Sequence, residues 1–255
     1  MPLFFPQFHL YGLIIGLGVL AAYHLTQKRL RCLKIGSSLD QLFLFLLPSS
    51  LIGARLYHVL DHWQYYSRDL LQIFSLASGG LAIYGAIIGG IIGLILFLYL
   101  KKQLSYLLLY FDLLAPGVLL AQAIGRWGNY VNQEAFGPPT TFPWGVYISL
   151  KNRPIQYQNS AFFQPLFLYE SLWDLLGVYL ILKFFSKPRS HGLTFGFYLL
   201  WYGLGRFYLE TFRFDTAVFS GFKVAQVLSF FAVAIGLVFV FKRLFQKGNA
   251  TITPR

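Results

Sequence analysis

The run Gly125-Arg126-Trp127-Gly128-Asn129-Tyr130-Val131-Asn132-Gln133-Glu134-Ala135-Phe136-Gly137 concentrates chemically capable side chains in a chain that is otherwise poor in charge. It follows directly on the apolar stretch Leu113 to Ile124. An arginine at the end of a membrane-length apolar segment is costly to bury and usually has a partner or a task. Guanidinium suits the grip of a phosphate, because two parallel N–H groups meet two oxygens at once. The glycines let backbone approach a ligand. The amides of Asn129 and Asn132 and the Glu134 carboxylate can hold Arg126 in one geometry.

A second constellation is Trp201-Tyr202-Gly203-Leu204-Gly205-Arg206-Phe207-Tyr208-Leu209-Glu210-Thr211-Phe212-Arg213. Tyr202, Arg206 and Glu210 recur every four residues and Arg213 follows three later, so on a helix they share one face. An Arg206–Glu210 pair that neutralises itself is the plain reading. It is compatible with a functional one in which Glu210 orients Arg206 toward an anion. A third constellation is the glycine-rich segment from Gly79 to Gly90. Gly89 and Gly90 read as sites of close helix approach. Gly79, Gly80 and Gly85 flank the polar Tyr84 and can leave room for a lipid head group.

These groups need elements to hold them, and composition names the class. Of 255 residues, 56% are hydrophobic and 12% charged. A soluble domain carries about a quarter charged residues, so the chain reads as an all-α polytopic membrane protein forming one integral domain over residues 1–255. Seven spans of membrane length are predicted, at 9–25, 40–60, 79–100, 104–124, 164–185, 193–210 and 222–241. A long loop region, 125–163, is expected to carry the Arg126 run on the outer face. Lys28, Arg29, Arg31 and Lys34 follow span one, and Lys101 and Lys102 follow span three. Lys183, Lys187 and Arg189 follow span five, and Lys242, Arg243 and Lys247 follow span seven. All fall on one side, which is therefore cytoplasmic, with the N-terminus outside and the C-terminus inside. Arg68, Arg126, Arg153, Arg206 and Arg213 fall on the other side, against that rule, and point to an outward-facing anion site. The N-terminus has no basic region before its first apolar stretch, so that stretch is not read as a cleaved signal peptide.

The net charge of +12 would suggest nucleic acid on a soluble protein. Here it clusters in short loops, which favours topology and anionic lipid instead. The single cysteine, Cys32, excludes an internal disulfide and any multi-cysteine metal site. His58 and His62, four apart with Asp61 between them, have no third ligand with a natural place, so they read as an interfacial pair and not as a metal site. Either can supply a base. Trp63, Trp144, Tyr65 and Tyr66 read as an aromatic belt. Glu170 and Asp174, like charges four apart, repel unless one is protonated or paired; Arg126 and Arg55 are both candidate partners.

The Gly125–Gly137 run resembles the signature of the bacterial prolipoprotein diacylglyceryl transferases, Gly-Arg-x-Gly-Asn-[Phe/Tyr]-x-Asn-x-Glu-x-x-Gly. Gly79 to Gly90 resembles that family's Gly-Gly-Leu-x-x-His-Gly-Gly segment, and Tyr202 to Arg206 its Tyr-Gly-x-x-Arg segment. Tyr11-Gly12 and Gly53-Ala54-Arg55-Leu56-Tyr57 also match. There are two departures. Tyr84 stands where many members have a histidine proposed as a base, and a tyrosine with a pKa of about 10 is a poor base at neutral pH. Gln164-Pro165-Leu166-Phe167-Leu168-Tyr169-Glu170 keeps the Pro, Tyr and Glu of the family's His-Pro-x-Gln-Leu-Tyr-Glu and lacks its histidine and glutamine.

The resemblance implies transfer of the sn-1,2-diacylglyceryl group of phosphatidylglycerol to the lipobox cysteine of a prolipoprotein, with release of glycerol 1-phosphate. Arg126 and Arg206 would be the phosphate clamp, with Tyr84 in the histidine's place. Asn129, Asn132, Glu134, Gly137, Tyr202, Glu210, Tyr11, Arg55, Gly79 and Gly80 would bind substrate. The implied partners are phosphatidylglycerol, lipobox signal peptides and membrane lipids, with no nucleic acid, metal or cofactor. The implied place is the bacterial plasma (inner) membrane, with the site toward the periplasmic face. A non-catalytic lipid- or anion-binding transporter is the alternative that outward arginines alone allow.

Overall fold

The computed structural model describes residues 7–33, 39–75, 79–185, 191–214 and 216–245. Lys34, Lys187, Arg189 and Lys247 lie outside the described residues. Eight α-helices follow one another: α1 Gln7–Cys32, α2 Leu39–Asp61, the single turn α3 Trp63–Tyr66, α4 Ile83–Leu100, α5 Leu107–Asn132, α6 Leu166–Phe184, α7 Leu193–Glu210 and α8 Val224–Phe245. Two short antiparallel pairs complete the described structure: β1 Val146–Tyr147 with β2 Phe162–Phe163, and β3 Val218–Phe219 with β4 Phe222–Lys223.

Among the described residues five helices, α1, α2, α4, α5 and α8, are long and apolar enough to cross a membrane. The other two expected spans coincide with α6 and α7. These have similar length, but α6 carries Glu170, Asp174 and Lys183, and α7 carries Arg206 and Glu210, which dilutes their apolarity. Pro48 within α2 and Pro116 within α5 are tolerated, as such residues are where neighbouring groups take up the freed backbone.

Several boundaries differ from the sequence reading: α1 runs to Cys32, past the expected end at 25, so Lys28, Arg29 and Arg31 lie on the helix, and two other differences bear on the site. The segment before Ile83 is not helical, because Gly79 (φ 80°) and Gly80 (φ 77°) form a left-handed turn. Elsewhere, α5 continues to Asn132, so residues 125–132 of the expected 125–163 loop are helix. The chain leaves that helix sharply, with Gln133 (φ 52°) and Ala135 (φ 55°) in left-handed conformations unusual for residues other than glycine. The remaining loop is held by the β1–β2 pair and by the Gly137 N–H donating to the Gln164 carbonyl at 2.9 Å.

The chain forms two compact units. One contains α2, α3 and α4. Gly85, Gly89 and Gly93 repeat every four residues on α4 and are all buried. A Cβ at Gly85 would meet the Gly53 carbonyl, and one at Gly89 the Ser49 carbonyl, so two helix backbones pass in direct contact. This confirms close approach at Gly89. It corrects the reading of Gly85, whose open side is filled by α2 and leaves no room there for a head group.

The other unit contains α1, α5, α6, α7 and α8. Its core centres on Leu119, Val178 and Ile181. Trp173 of α6 and Trp201 of α7 stack at 4.1 Å, and each indole N–H donates to the other's backbone carbonyl, at 3.0 and 2.9 Å. Each ring lies on a glycine of the opposite helix, Trp173 on Gly205 and Trp201 on Gly177. This reciprocal clasp fixes the rotation of α6 against α7. The buried Asp112 of α5 accepts hydrogen bonds from the Gly192 and Phe195 N–H groups at 2.6 and 2.7 Å, satisfying orphan donors at the start of α7. At the far end of α7, Lys223 Nζ donates to the Glu210 and Arg213 carbonyls at 2.7 and 2.8 Å, a C-terminal cap supplied from another segment.

Candidate active site

The helix clasp and the two anchored ends of α7 aim three arginines at one carboxylate. Glu170 is 4% exposed. Arg126 Nη2 of α5 lies 2.6 Å from its Oε2, and Arg206 Nη1 of α7 lies 3.3 Å from the same oxygen. Arg213 Nη1 approaches Glu170 Oε1 at 3.8 Å. Glu210, fully buried, forms the second anchor: Arg206 Nη2 lies 2.9 Å from its Oε2 and Arg213 Nη1 lies 3.9 Å from it. Thr216 donates its hydroxyl to Glu210 Oε1. Asp174, one turn from Glu170 on α6 and also buried, is within electrostatic reach of Arg126 and Arg206 but pairs with neither among the described residues. Three guanidiniums are thus held by two carboxylates.

Such a cluster can do what the sequence reading asked of it. Buried carboxylates fix the planes of the guanidiniums, which is pre-organisation toward an anion. Arg126 Nε is buried and has no hydrogen-bond partner among the described residues, so this guanidinium keeps a donor that its carboxylate does not use. Tyr202 lies within electrostatic reach of Arg126.

The rest of the signature run is arranged beside the cluster. Asn129 Nδ2 and Asn132 Nδ2 both donate to Glu134 Oε1, at 2.9 and 3.4 Å. Glu134 was expected to help hold Arg126, yet among the described residues it makes no ion pair with it; Glu170 of α6 has that role. The reason is geometric. Glu134 lies past the end of α5, beyond the left-handed turn, whereas one face of α6 packs toward Arg126. Tyr11 of α1 lies flat against Gly128, where a Cβ would meet its ring at 2.7 Å, so this glycine admits an aromatic ring between helices. The Tyr11 ring is also in electrostatic range of both Glu134 and Arg126. Gly137 is packed against Gln164 and Leu166.

Tyr84, Gly79, Gly80 and Arg55 belong to the other unit. Arg55, 5% exposed, spends all five guanidinium N–H groups on backbone. Nε donates to the Ile73 carbonyl at 2.8 Å, Nη1 to Gly79 and Gly80 at 2.7 and 3.1 Å, and Nη2 to Gln72 and Ser75 at 2.5 and 3.0 Å. Of the two partners open to Glu170, then, the structure selects Arg126. Tyr84 is 37% exposed and its ring lies 6.2 Å from that of Tyr57. His58 and His62 stack at 4.3 Å, and no cluster of three metal-ligating side chains occurs among the described residues.

Sequence reasoning offered Arg126 as a partner of Glu170 and counted Arg213 among the outward arginines, but placed neither Glu170 nor Arg213 among the catalytic or binding residues. Both carried a signal. Glu170 ends the retained Pro-x-x-x-Tyr-Glu segment, and Arg213 continues the face of Arg206 and Glu210.

Comparison with known proteins agrees with this geometry. Residues 2–242 match the family model described as prolipoprotein diacylglyceryl transferase. The chain is 41% identical over 235 residues to the phosphatidylglycerol–prolipoprotein diacylglyceryl transferase of Acaryochloris marina, covering 89% of this chain and 84% of that protein. It is 39% identical over 240 residues to the enzyme of the same name from Thermosynechococcus vestitus, covering 92% and 88%. Against the one from Streptococcus pyogenes it is 40% identical over 250 residues, covering 94% and 92%. With the match running through every element that carries the arginine cluster, the chain belongs to the prolipoprotein diacylglyceryl transferase family.

Proposed function

We propose that the Arg126–Arg206 cluster is the phosphate-handling part of an enzyme that transfers the sn-1,2-diacylglyceryl group of phosphatidylglycerol to the lipobox cysteine thiol of prolipoproteins. The observation that carries this is the convergence of Arg126, Arg206 and Arg213 on Glu170, three cations against two paired carboxylates in apolar surroundings. The family and the printed names of the relatives supply the substrates.

In the reaction the cysteine sulfur attacks the glyceryl carbon that bears the phosphate. An S–C bond forms and the C–O bond breaks. The bonding pair leaves with the phosphate oxygen, and the thiol proton passes to a base or to water. The phosphodiester carries one negative charge and the departing phosphomonoester carries more, so fixed cations stabilise the transition state above the ground state. Arg126 and Arg206 serve there, oriented by Glu170 and Glu210, with Arg213 reinforcing the field. Tyr202 and Tyr11 line the lipid-phosphate side. Asn129, Asn132 and Glu134 meet the polar head group, and Gly137 holds the returning chain close. The thiol, with a free pKa of about 8.5, gains thiolate character from the same field. Arg55 shapes the Gly79–Gly80 turn, and Tyr84 donates a hydrogen bond where other members place a histidine. No step requires a metal or cofactor.

The same reading makes all seven long helices spans, α6 and α7 included, with the N-terminus outside and the arginines toward the outer face of the bacterial plasma membrane. The excess of lysine and arginine at the helix ends on one side and in the connections next to them supports that orientation.

A purified protein mixed with phosphatidylglycerol and a lipobox peptide tests the assignment. Arg126→Ala and Arg206→Ala each abolish thioether formation while the protein keeps its helical spectrum. Full activity in either variant sinks it. Release of glycerol phosphate from labelled lipid separates an enzyme from a non-catalytic lipid or anion carrier.

A further inference from the structure

Past the end of α5 lies a cavity of about 500 Å³ that the arginine cluster does not use. Its wall includes Asn132 and Glu134 from the signature run, Lys151, Asn152 and Arg153 from the following loop, and Phe214 from beyond α7. We infer that this cavity is a second, water-facing subsite for a glycerophosphate group, carried either by the departing product or by the lipid head group; the inference rests on the proposed transfer reaction.

Placement is the first argument. Asn132 is the last residue of α5, the helix of Arg126. Phe214 directly follows Arg213, which is ion-paired to Glu170 and Glu210. The helix of Arg126 therefore ends at the cavity rim, and the segment that leaves α7 reaches it at Phe214.

Construction is the second. Gln133 Oε1 accepts hydrogen bonds from Ser149 N–H, Ser149 Oγ and Asn152 Nδ2 at 2.9, 2.7 and 3.2 Å, tying the cationic loop to the end of α5. The left-handed backbone at Gln133 and Ala135 is a local cost that such ties offset. Arg153 is immobilised by neutral groups only: Nε donates to the Ile148 carbonyl and Nη1 to Gln158, both at 2.8 Å, and its guanidinium lies 5.6 Å from the Tyr147 ring centre. Among the described residues no carboxylate pairs with Lys151 or Arg153. One fixed cation, Arg153, and one exposed cation, Lys151, therefore line the cavity without a direct ion pair among the described residues.

Chemistry is the third. A glycerophosphate presents phosphate oxygens at one end and a diol at the other. Lys151 and Arg153 match the phosphate, and the Glu134 carboxylate with the Asn132 and Asn152 amides match hydroxyl groups. The volume falls in the range of ordinary small-molecule sites. The reaction also creates the need. A phosphomonoester held by buried arginines leaves slowly unless weaker, hydrated cations receive it on the way to water.

The test measures thioether formation by the full chain in phosphatidylglycerol-containing nanodiscs, with sn-glycerol 1-phosphate added as inhibitor. Lys151 is exposed and makes no hydrogen bond or ion pair among the described residues, so its variants are expected to fold. Lys151→Ala raises the inhibition constant of glycerol 1-phosphate severalfold and Lys151→Glu raises it about tenfold, the arginine cluster keeping the remaining affinity, as expected for loss of one charge-assisted contact. Inorganic phosphate, lacking the diol, inhibits the wild type more weakly. If KM for phosphatidylglycerol rises in parallel, the group bound is the lipid head group; if it is unchanged, the group bound is the product. Either pattern supports the subsite. Inhibition of Lys151→Glu equal to wild type overturns it, as does a rise confined to KM for the lipobox peptide. Should the wild type form no thioether, the reaction assignment fails; titration of glycerol 1-phosphate into wild type and Lys151→Glu, followed by calorimetry, then decides the cavity independently.

Discussion

Two buried environments in this molecule hold arginine in opposite ways. Arg55 is surrounded by carbonyl oxygens from residues 72 to 80, and each of its five N–H groups has a neutral acceptor. Its charge is solvated by dipoles and its donors are used up, so it organises a turn. Arg126, Arg206 and Arg213 instead share Glu170 and Glu210. Those carboxylates fix direction but leave cationic capacity over, and Arg126 Nε remains without an acceptor among the described residues. Burial alone does not make an arginine functional. What separates the two is whether its donors are exhausted by groups that never leave.

The comparison breaks most directly at the arginines. Arg126→Lys and Arg206→Lys lower thioether formation by about two to three orders of magnitude, because a point charge cannot reproduce a bidentate fork. Mass-shift assays of the lipobox peptide measure this, and near-normal rates would place the phosphate elsewhere. Glu170→Gln removes the shared anion and leaves guanidiniums facing one another. Losing one partner of a buried pair costs about 3–5 kcal/mol, so both thermal stability in detergent and activity fall. Gly85→Ala and Gly205→Ala test the scaffolds and not the charges. A Cβ meets the Gly53 backbone in the first and the Trp173 ring in the second, costing about 1–3 kcal/mol, read as a lower unfolding temperature.

Arg55→Lys sharpens the contrast. It loses most carbonyl contacts at about 1–3 kcal/mol and shows itself mainly in stability, whereas Arg126→Lys shows itself mainly in turnover. A larger effect of Arg55→Lys on turnover than on stability would erase the distinction. The smallest effect belongs to Tyr84→Phe. Loss of one hydrogen bond lowers turnover about threefold, and an unchanged rate excludes a role for the hydroxyl.

Much of the site was legible in the chain because its parts are local. Arg206 and Glu210 meet at helical spacing, and Arg126 sits one residue after the glycine that ends an apolar stretch. The glycine spacing at Gly89 announced close helix contact for the same reason. What failed were inferences across gaps. Glu134 is near Arg126 in sequence, but a left-handed turn separates them, and Glu170 arrives from another helix. Gly85 was read as open because the α2 backbone that fills its space is thirty residues away. The extension of α5 to Asn132 was obscured by polar residues, which in water-facing segments usually mark a loop and here lie on a helix that continues past its apolar length.

Class and available chemistry were already written in the chain: apolar segments of membrane length, basic residues biased to one set of span ends, and a signature whose residue types suit a phosphate. Those properties are sums over composition and short-range periodicity. Which carboxylate holds Arg126, that Arg55 is consumed by a turn, and that Lys151 and Arg153 line a cavity with no ion pair among the described residues are all consequences of packing. Charge pairing acts through space over a few ångströms, and only the packing of distant segments brings the charges that close.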